Sequence, residues 1–128
     1  MQHLWTFLVL VAAAINLAPF LGVVSPERMS AFYGVDLDHP NLQILMRHRA
    51  VLFGVVGGLL LVAAFHPPLR TLGYVVGFGS MLSFLLIAWL VGEYSAEIRR
   101  MILIDVVGIA ALAGAGLVHA LWLRTAAV

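Results

Sequence analysis

A chain of 128 residues with 63% hydrophobic side chains, 10% charged ones and a net charge of +1 carries more apolar surface than a soluble domain of its size can hide. Near-neutrality without a single lysine gives no footing for nucleic acid, and the absence of cysteine excludes disulfides, thiolate zinc sites, Cys-ligated iron–sulfur clusters and thiol catalysis. A mean hydropathy of +1.08 points to the bilayer as the solvent.

The first element, residues 3–24, has no charge between Leu4 and Val24. A spanning helix needs about 20 residues, at about 1.5 Å each, to cross a hydrocarbon core of about 30 Å. This stretch is long enough. It lacks the cationic start of a leader peptide and contains Asn16 and Pro19, so it reads as a membrane helix and not a cleaved signal. The loop that follows, "SPERMSAFYGVDLDHP", is long enough for a short interfacial helix. Ser25 is placed to cap it, Pro26 to occupy its first position and Gly34 to end it.

The second element, residues 43–66, has an uncharged core only from Ala50 to Phe65. It can span only if Arg47, His48 and Arg49 enter the helix or its interface. "HPPLR" then breaks the chain, and a third element follows at residues 70–93, uncharged from Thr71 to Gly92. "EYSAEIRR" leads to the fourth, residues 100–123, which carries one acid, Asp105, and one His119. Period-2 alternation is absent, and short links make successive helices antiparallel. The expected fold is all-α: one domain over residues 1–128, an integral membrane four-helix bundle running up-down-up-down. By the positive-inside rule, Arg28, Arg47, Arg49, Arg99 and Arg100 against Arg70 and Arg124 put the first and third loops in the cytoplasm.

Polar groups from the helices converge near those two loops: Asn16, Arg47, His48, Arg49 and Asp105, with Glu93 and Tyr94 at the same level. Ionisable groups at membrane depth are expensive, so they tend to face inward and pair. At about 100° per residue, Arg47 shares a face with Val51, Gly54 and Gly58, and Arg49 points about 200° away. Gly54-x-x-x-Gly58 reads as a close-packing stripe, which makes Arg47 the inward residue and sends Arg49 to the headgroups. Asp105 shares its side with Gly108, Leu112, Ala115 and Gly116, and Arg47–Asp105 is the expected ion pair if the two small-residue faces meet.

Each feature has a plainer use: the pair as a register device, Asn16 as an interhelical hydrogen bond, the glycines as simple close packing. The functional alternative is a ligand site formed by Arg47, His48, Arg49, Asp105 and Asn16, with the guanidiniums on a phosphate or carboxylate and an acyl, prenyl or quinone tail in the cleft. His48, able to titrate near neutrality, is the candidate base should the protein be an enzyme. His3, His66 and His119 lie toward the other end without accompanying carboxylates, so neither metal nor haem nor another cofactor is expected there. Trp5, Trp89 and Trp122 read as an interfacial belt.

"PNLQILMRHRAVLFGVVGGLLLVAAF", preceded by "PERMSAFYGV" and followed by two further helices, resembles small bacterial four-helix membrane proteins that often carry the label phosphopantetheine adenylyltransferase; it is more loosely similar to the DoxX-like group. The label itself does not fit. That enzyme needs a Thr/His-x-Gly-His motif on a strand–loop–helix, and no histidine here follows a glycine. The resemblance implies a small bacterial inner-membrane protein and transfers no catalytic residue. The expected function is non-catalytic binding of a lipid-like or other amphipathic ligand. The alternatives are an enzyme using His48 and Asp105 on a membrane-embedded lipid or quinone, and an assembly subunit or homo-oligomer. The expected partners are membrane lipids and an amphipathic small molecule or quinone, with no nucleic acid.

Overall fold

The computed structural model describes residues 1–126. The first span begins as α1, Gln2–Leu17, and continues as a 3₁₀ helix over Ala18–Val24. Pro19 explains the change, because it has no N–H to give to the preceding turn and its ring crowds that turn's carbonyl. Ser25 follows in extended conformation and caps α2, Pro26–Tyr33, its Oγ accepting from the Arg28 amide at 3.3 Å. The backbone amide of Glu27 and the Ser25 hydroxyl hold the Glu27 carboxyl below its usual range. Gly34, at φ 64°, ends α2 in the left-handed conformation that glycine adopts without strain.

The remaining spans are α3, Pro40–Ala63; a 3₁₀ turn, Pro67–Leu69, leading into α4, Arg70–Val91; and α5, Ala96–Ala126. Helices α3 and α5 start a turn earlier than hydropathy alone implies. His39 Nδ1 accepts from the Asn41 amide at 3.2 Å, with Pro40 at the first helical position. Ser95 Oγ accepts from the Ile98 amide at 3.4 Å and Ser95 O from the Arg99 amide at 3.0 Å, so most of "EYSAEIRR" is already helix.

Four helical segments, Gln2–Val24, Pro40–Ala63, Pro67–Val91 and Ala96–Thr125, are long and apolar enough to cross a membrane. The bundle is all-α and the protein is membrane-integral. Its spans pack in the ring order α1–α3–α4–α5, each beside its sequence neighbour and α5 back against α1. Outward side chains are large and apolar, among them Leu21, Val55, Val75, Leu86, Trp89 and Leu117. On a water-facing surface they would form a continuous liability; against lipid tails they are the expected outer coat.

Two cores sit at different heights. The central one joins Trp5, Val9, Ala12 and Ala13 of α1 to Leu60, Met81, Leu112 and Ala115. The second lies under α2 and joins Met29, Tyr33 and Leu37 to Ala50 and Met101. Small residues set the helix separation. A Cβ on Gly57 would lie 2.6 Å from Leu17 Cγ, 2.9 Å from Leu17 N and 3.0 Å from Ala13 O, so α1 and α3 touch backbone to backbone there. Gly108 receives Met81 of α4, Ala115 is fully buried, and Gly54 meets the Phe20 ring. Gly58 and Gly116, expected in the same packing faces, are half-buried, and a Cβ there would meet nothing within 4 Å, so neither sets a helix contact. The face of α3 that packs is Ala50, Gly57, Leu60 and Ala63, rotated from the Gly54–Gly58 stripe.

Candidate functional site

That rotation reverses the roles of the two arginines. Arg49 lies within about 20° of the direction of buried Leu60, eleven residues on, so it shares the inward side of α3. Its guanidinium carbon stands 5.0 Å from the Tyr33 ring centroid, 5.0 Å from that of Phe53 and 5.2 Å from that of Phe84. Three helices therefore wrap one cation in aromatic faces: α2 through Tyr33, α3 through Phe53 and α4 through Phe84. Each such contact contributes about 0.5–2 kcal/mol, rising with desolvation.

Arg47, expected to point inward, is exposed. Its Nε donates to the Val23 carbonyl at 2.8 Å, at the end of the 3₁₀ segment. The expected Arg47–Asp105 ion pair does not form. In the ring order α3 and α5 are diagonal, with α1 and α4 between them, so the two small-residue faces do not meet. His48 is exposed as well and takes no part in the cavity described next.

Asp105 is half-buried. With Arg49 it lines a cavity of about 340 Å³ bounded by the end of α1, the end of α2, Phe53, Phe84 and Met101. The walls are almost wholly apolar. Neither the Arg49 guanidinium nor the Asp105 carboxylate makes a hydrogen bond or an ion pair with another described residue. Tyr33, 4% exposed, forms part of the wall. Burial pushes its phenol above the ordinary tyrosine value; Arg49 works against that push and Asp105 adds to it. On the far side of Arg49 a groove of about 220 Å³ runs between α3 and α4 and shares the Arg49, Phe53 and Phe84 walls.

Asn16 lies outside this cavity. Its side chain is 1% exposed, with Nδ2 donating to the Ala12 carbonyl at 3.0 Å and Oδ1 accepting from Ser80 Oγ at 3.3 Å. It ties α1 to the diagonal helix α4 at Ser80, mid-span. At the opposite end of the bundle His119 rests against Trp5 and Trp122, with centroids 6.4 Å and 6.2 Å away. Among the described residues no three His, Cys, Asp or Glu side chains gather as metal ligands.

The aromatic partners of Arg49 come from three separate segments, so no local sequence pattern groups them. The one local signal was Phe53, four residues after Arg49 on the same helical side. No family model matches this chain, and neither a curated protein nor a solved structure matches it.

Proposed function

We propose that this is a non-catalytic membrane protein that binds an amphipathic molecule, lipid or quinone-like, with its polar end between Arg49 and Asp105. One observation carries the reading: an aromatic-lined cation and a carboxylate line the same apolar cavity, and neither makes a hydrogen bond or ion pair with a described residue. A guanidinium only donates and a carboxylate only accepts, so together they suit a polar end that offers both an acceptor and a donor. A hydroxylated or zwitterionic headgroup fits, as does a quinone–quinol pair. The α3–α4 groove beside Arg49 gives a tail a route from the lipid side.

The aromatic cage supports ligand binding over simple anchoring, because it holds the guanidinium against the cavity wall without using its N–H groups in a hydrogen bond to a described residue. The enzymatic reading has no comparable support, since His48 stands outside the chamber that holds Asp105. With Arg49 assigned to the site, Arg28, Arg47, Arg99 and Arg100 still outnumber Arg70 and Arg124, which favours loops one and three in the cytoplasm. The resemblance to small bacterial four-helix proteins favours the bacterial inner membrane.

Native mass spectrometry of gently extracted protein tests the proposal. Wild type and Arg47→Gln should retain a lipid or quinone adduct, and Arg49→Gln should retain fewer while keeping its helical circular dichroism. A wild type without any adduct, or an Arg49→Gln variant whose adducts match those of wild type in mass and number, refutes the proposal.

A further inference from the structure

At the end of the bundle away from Arg49, a second cavity of about 280 Å³ opens between the start of α1, the turn into α4 and the end of α5. Trp5, Arg70, Val118, His119 and Trp122 form its working walls. The Arg70 guanidinium carbon lies 4.1 Å from the Trp5 ring centroid, so the ring covers one face of the cation. Arg70 Nε is buried and has no hydrogen-bond partner among the described residues. The platform beneath it is fixed: Trp5 is 3% exposed, its Nε1 donates to the Tyr74 hydroxyl at 2.8 Å, and His119 meets its ring at an interplanar angle of 69°.

A guanidinium stacked on one face interacts with polar partners through its N–H edge. Among the described residues no Asp or Glu lines this cavity. The Arg70 Nη groups make no hydrogen bond with a described residue either. A phosphate or carboxylate supplies acceptors in the planar arrangement that a guanidinium matches best. Trp122, Val118 and Pro67 then offer an apolar bed for the first carbons of a tail. The cavity lies at helix ends, at the level where headgroups sit. We infer that it is a second binding site, distinct from the Arg49 chamber, for an oxyanion carried on an apolar tail.

Tryptophan emission reads the site directly once Trp89→Phe removes the residue that lies elsewhere, leaving Trp5 and Trp122. The protein in nonionic detergent is titrated with dioctanoyl phosphatidylglycerol, decanoate, dioctanoylglycerol and inorganic phosphate. A saturable change is expected with one or both tailed oxyanions. Arg70→Gln should weaken its midpoint about tenfold or more, and Arg49→Gln should leave it in place. Val118→Phe fills the cavity with Arg70 intact and should also weaken binding, which keeps the test decisive if Arg70→Gln does not fold. The inference is overturned by an unchanged midpoint in both Arg70→Gln and Val118→Phe, or by equal midpoints for dioctanoylglycerol and the tailed oxyanions. It is equally overturned if inorganic phosphate binds as tightly as they do, or if Arg49→Gln weakens binding as much as Arg70→Gln.

Discussion

Adjacent glycines 57 and 58 should respond oppositely to the same substitution. Alanine at either position gains the same helix propensity, up to about 1 kcal/mol, so the difference between the two variants isolates packing. At Gly57 the new methyl group meets Leu17 Cγ at 2.6 Å and backbone atoms of α1 at 2.9 and 3.0 Å. Backbone cannot rotate away, and α1 and α3 must separate by several tenths of an ångström along a contact that buries Ala13 and Leu60. Overpacking of this kind costs about 1–3 kcal/mol, and the backbone contacts put Gly57 toward the upper end. At Gly58 nothing lies within 4 Å, and the methyl group enters lipid at no steric cost. Gly54→Ala should fall between them, because its obstacle, Phe20 Cδ2 at 2.5 Å, is a side chain that can turn. Reversible SDS unfolding in mixed micelles, followed by circular dichroism, measures all three. Gly57→Ala and Gly58→Ala within about 0.5 kcal/mol of each other, or Gly58→Ala the worse of the two, would show that α3 is rotated wrongly and that Arg49 loses its inward place.

Two further outcomes follow from side chains near the site. A double-mutant cycle of Asn16→Leu and Ser80→Ala should give a coupling of about 0.5–2 kcal/mol, toward the low end for a 3.3 Å bond, and strict additivity would remove the α1–α4 tie. The Tyr33 phenol, raised by burial, contributes stability that is fully present below the ordinary tyrosine value of about 10 and is lost as pH rises toward its folded value. The wild type minus Tyr33→Phe difference in tyrosinate absorbance should therefore titrate above that ordinary value; titration at or below it contradicts the burial of Tyr33 in the cavity wall.

Local chemistry was the legible part of this chain. Ser25, Pro26 and Gly34 fix the ends of α2 through capping and a positive φ, which need no knowledge of the tertiary fold. The four spans were legible because each is a length of apolar chain between turn residues. The rotation of α3 was not. In water the buried face of a helix is the apolar face, but in lipid both the packed and the outer faces are apolar, so periodicity does not separate Gly57 from Gly58. The choice depends on which helices flank α3, and that ring order places α1 and α4 beside it and α5 diagonal. The place of Arg47 is hidden from the sequence for a related reason: its partner, the Val23 carbonyl, is delivered by the 3₁₀ segment that Pro19 induces. Asp105 could be read as inward from its charge alone, but its neighbour Arg49 could not.

The exposed positions of Arg47 and His48 also bear on the membrane itself. The uncharged run Ala50 to Phe65 covers about 24 Å along its axis, whereas Thr71 to Gly92 on neighbouring α4 covers about 33 Å. The girdle of hydrocarbon that the molecule demands is thus uneven, lowest beside α3. Arg47 is held by Val23 and is not free to reach upward to the phosphates, so the mismatch falls on the lipid. Acyl chains next to α3 must shorten or tilt, at a cost of a fraction of a kcal/mol per ångström, and a thinner bilayer suits this flank of the protein better than a thick one.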